Sequence, residues 1–204
     1  MGRRSLHTAD ELRELIVQAS TDLIHENGFA GLSAREIARR IDYSPGTLYN
    51  SFDNLDDLVL TIEGRMLDRL GDALDAVSRD GSAEDRVCRM ADCYLGFANE
   101  NPRLWKLLFE HHVSAPHAVP DWYRQKIQAL GDRFEDALLP FADGLSVDEV
   151  RRAGRVLWSS VHGIASLVVA EKLSVVPVDD AVRLVRDLVE TYLAGLKRRE
   201  AARA

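Results

Sequence analysis

Ser44, Thr47, Tyr49 and Asn50 set two hydroxyls, a phenol and a carboxamide within seven residues, spaced by Pro45, Gly46 and Leu48. Such groups hydrogen-bond phosphate oxygens, and an Asn amide also matches the edge of a base. Gly46 and Thr47 are small enough to let a backbone come close, and Pro45 removes an N–H that the start of a helix leaves unpaired anyway. Upstream, Ser33 and Arg35 add a hydroxyl and a cation, and Arg3 and Arg4 form a short basic arm. An arm of that kind reaches phosphates or a minor groove; a solvated tail has the same composition. The chemistry on offer is polar recognition of nucleic acid.

Two short helices joined by a tight turn would hold these groups. Ser33 followed by Glu36 reads as a capping box opening the first, with Ile37, Ala38 and Ile41 on one face. Asp42-Tyr43-Ser44 breaks it, and Asp tolerates the left-handed backbone such a turn requires. Ser44 and Pro45 restart the chain as N-cap and first helical residue, and Leu48 and Phe52 anchor the second helix, expected to run to Phe52. A third helix precedes them. Thr8 with Glu11 is its capping box, Leu12, Leu15, Ile16, Ala19 and Leu23 form its apolar stripe, and Asn27-Gly28-Phe29 ends it. Three helices in about 50 residues are enough to bury a helix-turn-helix core. A surface hairpin that only packs would share the helix-turn-helix pattern.

With Gly28-Phe29, Ser33, Ile37-Ala38, Ser44-Pro45-Gly46-Thr47-Leu48-Tyr49, Phe52 and Leu58 together, the chain resembles the TetR family of transcriptional regulators. The resemblance covers about the first 60 residues, and Trp158 with His162-Gly163 looks like the W-x-x-x-H-G element of one subgroup of its C-terminal domains. Such proteins are all-α: a three-helix DNA-binding domain, here 1–53, and a helical effector-binding and dimerisation domain, here 54–204. The resemblance implies a repressor that leaves a palindromic operator when a small effector binds. Two positions depart from the pattern. Asp42 stands where Gly is usual, and Leu55 stands where a Lys or Arg usually meets a phosphate, which removes one backbone contact.

Charge agrees with this only in its placement. The 204 residues carry a formal charge of −7, and no overall basic footprint exists. Residues 1–52 hold six basic side chains (3, 4, 13, 35, 39, 40) against seven acidic ones (10, 11, 14, 22, 26, 36, 42), a local charge of −1. Acids 10, 11, 14 and 36 are expected in first turns, where the helix dipole favours them.

From Asn54 the pattern is six further helices. Asn54 caps the first, to about Ser78; Ser82 with Asp85 opens the next, and Asn101-Pro102 a short third. Residues 114–120 read as a loop. A helix follows from Asp121 to about Leu139, then one from the Ser146/Glu149 capping box to about Leu173, and a last one begins after Pro177. Along the last two helices run interface features. Ser159, Gly163, Ser166 and Ala170 make a stripe of small residues, and Val178, Ala181, Val185, Leu188, Tyr192 and Gly195 make a broad face beside Leu184, Thr191 and Leu196. These are candidates for a two-fold four-helix bundle between two copies; packing within one chain is the alternative. Between motif and interface lie Met90, Cys93, Phe97, Trp105, Phe109, His112, Trp122, Phe134, Trp158 and His162. Aromatics with a few polar groups suit an apolar effector cavity, and His112 or His162 would orient the ligand by a hydrogen bond. Packed core is the other reading of the same residues.

Cys88 and Cys93 are five apart, so neither a disulfide nor a zinc spacing is present. No metal or cofactor is expected, no apolar run reaches the length of a membrane span, and the expected location is the cytoplasm. An enzyme is the competing class, with Glu110, His111, His112, His117 and Asp121 as an imagined metal or acid–base group. Adjacent histidines on a helix diverge by about 100°, so no metalloprotease-like geometry arises. A helical protein-interaction module without DNA binding is a further alternative.

Overall fold

The computed structural model describes residues 7–113, 119–171 and 178–201. Within them run α1 (Ala9–Asn27), a 3-10 turn (Phe29–Gly31), α2 (Ala34–Arg40), α3 (Pro45–Leu48), α4 (Leu55–Asp75), α5 (Ala83–Glu100), α6 (Pro102–Glu110), α7 (Asp121–Leu138), a second 3-10 turn (Leu139–Phe141), α8 (Val147–Val169) and α9 (Val178–Ala201). No strand occurs among the described residues, and the all-α expectation holds, three helices before Asn54 and six after it.

The chain divides into two packing units. One comprises residues 1–66 with 103–119, the other 67–102 with 120–204. In the first, Ile16, Ile24, Ile37, Leu48, Phe52, Leu58, Ile62, Trp105 and Leu107 are buried. In the second, α8 packs on α5, α7 and α9, over Leu70, Met90, Tyr94, Phe134, Leu157, Val161, Val185 and Val189. Gly154 lets α7 come close to α8, since a Cβ there would lie 2.9 Å from Cγ of Glu135.

Local chemistry explains most boundaries. Thr8/Glu11, Ser82/Asp85 and Ser146/Glu149 form reciprocal capping boxes, and Asn54 Oδ1 accepts from the Asp57 N–H at 2.9 Å. Ser33 makes only half of its box: it accepts from the Glu36 N–H, while the Glu36 carboxylate turns to Arg39. Three helices end earlier than their patterns predict, α4 among them at Asp75 instead of about Ser78. α3 stops at Leu48, where i→i+3 bonds from Asn50 to Thr47 and from Ser51 to Leu48 tighten the chain. α8 stops at Val169, because Glu171 takes a positive φ of 55° and its N–H bonds to Val168.

Gly28 closes α1 with φ 71° and ψ −178°, a region open almost only to glycine. Nothing lies within 4 Å of the Cβ an alanine would add there, so any cost of Gly28→Ala is backbone strain alone. The expected loss is about 1–3 kcal/mol of unfolding free energy, read by urea denaturation.

Candidate functional site

Four residues cannot hold a helix by themselves in water, so α3 depends on packing. Leu48 supplies it, 2% exposed, and burying such a side chain stabilises by about 1.5–3 kcal/mol. The turn before α3 has the predicted form: Asp42 takes φ 56°, and the Tyr43 N–H returns to the Ala38 carbonyl at 3.0 Å. With Leu48 turned inward, Ser44, Pro45, Gly46, Tyr49 and Asn50 are exposed and Thr47 is half-buried. Tyr49 stands 55% exposed, unusual for so large an aromatic. Pro45 is the first helical residue as predicted. Ser44 occupies the N-cap position without capping, its Oγ lying 2.9 Å from Thr47 Oγ1 instead. Ser33 is half-buried and engaged as the N-cap of α2.

Arg13 is a positioning residue that the sequence patterns did not single out. Its guanidinium donates to the Ser51 carbonyl and stacks 4.1 Å over the Phe52 ring, tying α1 to the exit of α3. The arginines of α2 divide into two kinds. Arg39 pairs with Glu36 at 3.0 Å, and Arg40 holds Glu26 through both guanidinium nitrogens, keeping that carboxyl below the ordinary carboxylate range. Arg35 is exposed and has no ion pair among the described residues, which leaves it available to a phosphate. Arg3 and Arg4 lie outside the described residues. His7 Nδ1 sits 2.8 Å from the Tyr43 phenol, beside the turn.

Of the residues predicted to enclose an effector, Trp105, Phe109 and His112 belong to the first packing unit and the other seven to the second. Trp105 is buried, His112 is exposed just beyond the end of α6, and the Phe109 side chain lies outside what the structure describes. Trp122 is 37% exposed on the first turn of α7, edge-on to Tyr123 at 5.7 Å. Met90, Phe97 and Phe134 are buried, while Cys93, Trp158 and His162 are half-buried.

Within the second unit a hydrogen-bonded chain joins several of them. The Trp158 indole N–H donates to Tyr94 Oη at 3.1 Å, and Tyr94 Oη lies 2.7 Å from His162 Nδ1. His162 Nε2 lies 3.3 Å from Ser166 Oγ. Either neutral tautomer of the imidazole completes this chain, because Tyr94 Oη and Ser166 Oγ can each donate or accept. Burial pushes the Tyr94 phenol up and the His162 imidazole down in pKa, so both are neutral near pH 7. Tyr94 was not among the candidates, although it falls at i+4 from Met90 on the same face of α5. Trp158 also lines a surface groove of about 210 Å³ between α7 and α8, with Gln128, Gly131, Glu135 and Arg155.

On α9 the structure splits the predicted broad face in two. Ala181, Val185, Val189 and Leu193 are buried within their own unit. Leu184 is 42% exposed, Leu188, Tyr192 and Gly195 are half-buried, and Thr191 is exposed. On α8, Ser159 is exposed, Gly163, Ser166 and Ala170 are half-buried, and Val156 and Leu167 stand out as exposed apolar side chains. Tyr192 and Leu196 share a surface depression of about 690 Å³ with Leu145, Ala153 and Val156. Among the described residues no group of three or more His, Cys, Asp and Glu could hold a metal ion, and His117 of the imagined metal group lies outside them. No described helix is long and apolar enough to cross a membrane.

Residues 16–62 match the family model for bacterial regulatory proteins of the tetR family, and residues 87–192 match a tetracyclin repressor-like C-terminal domain. An HTH-type transcriptional regulator of Mycobacterium tuberculosis is 28% identical over 145 residues, covering 70% of this chain but only 61% of that relative. An uncharacterised HTH-type transcriptional regulator of the same organism is 24% identical over 187 residues, 92% of this chain and 82% of its own. The crystal structure of a transcriptional regulator from Rhodococcus sp. superposes with a TM-score of 0.72 at 18% identity, covering 90% of this chain and 96% of that one.

Proposed function

Because this chain belongs to the TetR family of DNA-binding transcriptional regulators, we propose that it is a homodimeric repressor, released from a palindromic operator by a small, mainly apolar effector. The observation that carries the DNA side is the polar edge of α3: Ser44, Pro45, Gly46, Tyr49 and Asn50 stand in solvent on a helix fixed from beneath by Leu48. Thr47 completes the reading edge, and Ser33, Arg35, Arg3 and Arg4 supply phosphate contacts. Recognition belongs to residues 1–53 in this reading, and effector binding and dimerisation to 54–204.

Two recognition helices in a two-fold dimer must stand about 34 Å apart to enter successive major grooves. The exposed apolar residues of α8 and α9 favour pairing of these helices with a second copy. Leu188→Asp would set a charge on that face, and the expected result is a monomer in sedimentation at micromolar concentration, with operator binding lost. A wild-type chain sedimenting only as a monomer would remove the dimer.

The neutral Trp158–Tyr94–His162–Ser166 chain favours an uncharged effector, since it offers hydrogen bonds and no formal charge. To release DNA the effector must bind the two states unequally; a factor of about 100 corresponds to about 2.7 kcal/mol of coupling. Selection of bound fragments from sheared genomic DNA at low salt tests the DNA side directly. Enrichment of a palindrome supports the reading, and no enrichment at any salt turns it toward a helical protein-interaction module.

A further inference from the structure

His111, just past the end of α6, sits between two carboxylates of α4. Its Nδ1 lies 3.1 Å from Glu63 Oε1 and its Nε2 lies 3.2 Å from Asp56 Oδ1. The imidazole and the Glu63 side chain are each 3% exposed and the Asp56 side chain 23%. Phe29 packs edge-on against the ring at 5.9 Å. All four residues belong to the first packing unit, with α3. Among the described residues, the charged groups set against the ring are Asp56 and Glu63; Phe29 brings none, and the chain neighbours Glu110 and His112 are exposed.

Both ring nitrogens therefore face acceptors that have no hydrogen to offer. A neutral imidazole has one N–H and satisfies one carboxylate only; the imidazolium has two and satisfies both. The carboxylate left facing a lone pair would be costly, above all buried Glu63. We propose that His111 is a proton-operated clip, which holds the end of α6 against α4 when protonated and slackens when the proton leaves, lowering affinity for DNA as pH rises.

Burial by itself pushes the His111 pKa down, and the two carboxylates more than offset it, so the net shift is upward. The sign follows. A folded-state pKa above the unfolded value of about 6.5 gives stabilisation that is complete below about pH 6.5 and lost as pH rises through the folded pKa. Losing the proton also leaves the unit one charge more negative, which opposes phosphate binding. The DNA consequence rests on the proposed function; the clip itself does not.

The test uses the full chain with isotopically labelled histidine, its His111 resonance assigned through His111→Gln. The expected ring titration has its midpoint above about 6.5, and Glu63→Gln and the more accessible Asp56→Asn each bring it down. A midpoint at or below the ordinary value, or one unmoved by both carboxamides, overturns the clip. In parallel, the thermal midpoint of the wild type falls between about pH 6 and about pH 9 more steeply than that of His111→Gln; equal slopes overturn it too. Affinity for a short mixed-sequence duplex at fixed low salt falls over the same range in the wild type and less in His111→Gln. No duplex binding at any pH, with the titration and thermal slopes as expected, leaves the clip standing and sinks the DNA reading.

Discussion

Replacing Tyr49 by alanine is expected to lower affinity for the selected operator by about 100-fold or more while leaving the fold intact. The stability half follows from exposure: Tyr49 is 55% exposed, and removing its ring opens no cavity. For the affinity half, a phenol donating to a phosphate makes a charge-assisted bond, and losing one costs about 1.5–3 kcal/mol. A two-fold dimer loses two, at least about 3 kcal/mol, and each 1.4 kcal/mol is a factor of ten. Titration of labelled operator against both proteins at one fixed salt reads the loss, and a urea melt of each checks the fold. Because the contact is to a phosphate, the mutant's salt slope should also be shallower. A mutant with wild-type affinity would place Tyr49 away from DNA and move recognition to the rest of the α3 edge.

Phe134→Ala is the larger perturbation of stability. The ring is 2% exposed and packs edge-on to Tyr94 at 5.9 Å and 75°. Truncating a buried Phe to Ala costs about 3–5 kcal/mol through lost transfer energy and the cavity left behind. Aromatic pairing of this geometry contributes about 0.5–1.5 kcal/mol beyond the area buried. Against a total of about 5–15 kcal/mol for a typical domain, that is a large share of the margin. Urea denaturation with linear extrapolation reads it. The size also separates core from pocket: a loss under about 1 kcal/mol would mean that Phe134 already lines open space, as an effector cavity requires.

How far the site was legible depends on how local its determinants are. The turn and start of the motif could be read because Asp42 at φ 56° and Pro45 at the first position of α3 act within a few residues of themselves. So do the capping boxes at Thr8, Ser82 and Ser146. The half-formed box at Ser33 shows the limit of that logic. Glu36 had a second suitor three residues on, and side-chain competition between Ser33 and Arg39 is not decided by spacing. Tyr94 was missed although its helical register places it with Met90 and Phe97, because nothing near it in sequence marks Trp158 or His162, 64 and 68 residues away, as partners.

By itself the sequence determined that this chain is all-α, where most of its helices begin, and that a short helix opened by Pro45 offers a polar edge after a left-handed turn. Those outcomes depend on backbone propensities and on hydrogen bonds spanning three or four residues. Tertiary structure alone decided which stripe of α9 turns inward, so that Ala181 and Val185 are spent on the core while Leu184 remains outside. It also decided that Arg40 is taken by Glu26 and that His111 is held by Asp56 and Glu63. A period of 3.6 residues says which side chains share a face. It carries no information about which distant face, or which opposite charge, that face will meet when the helices pack.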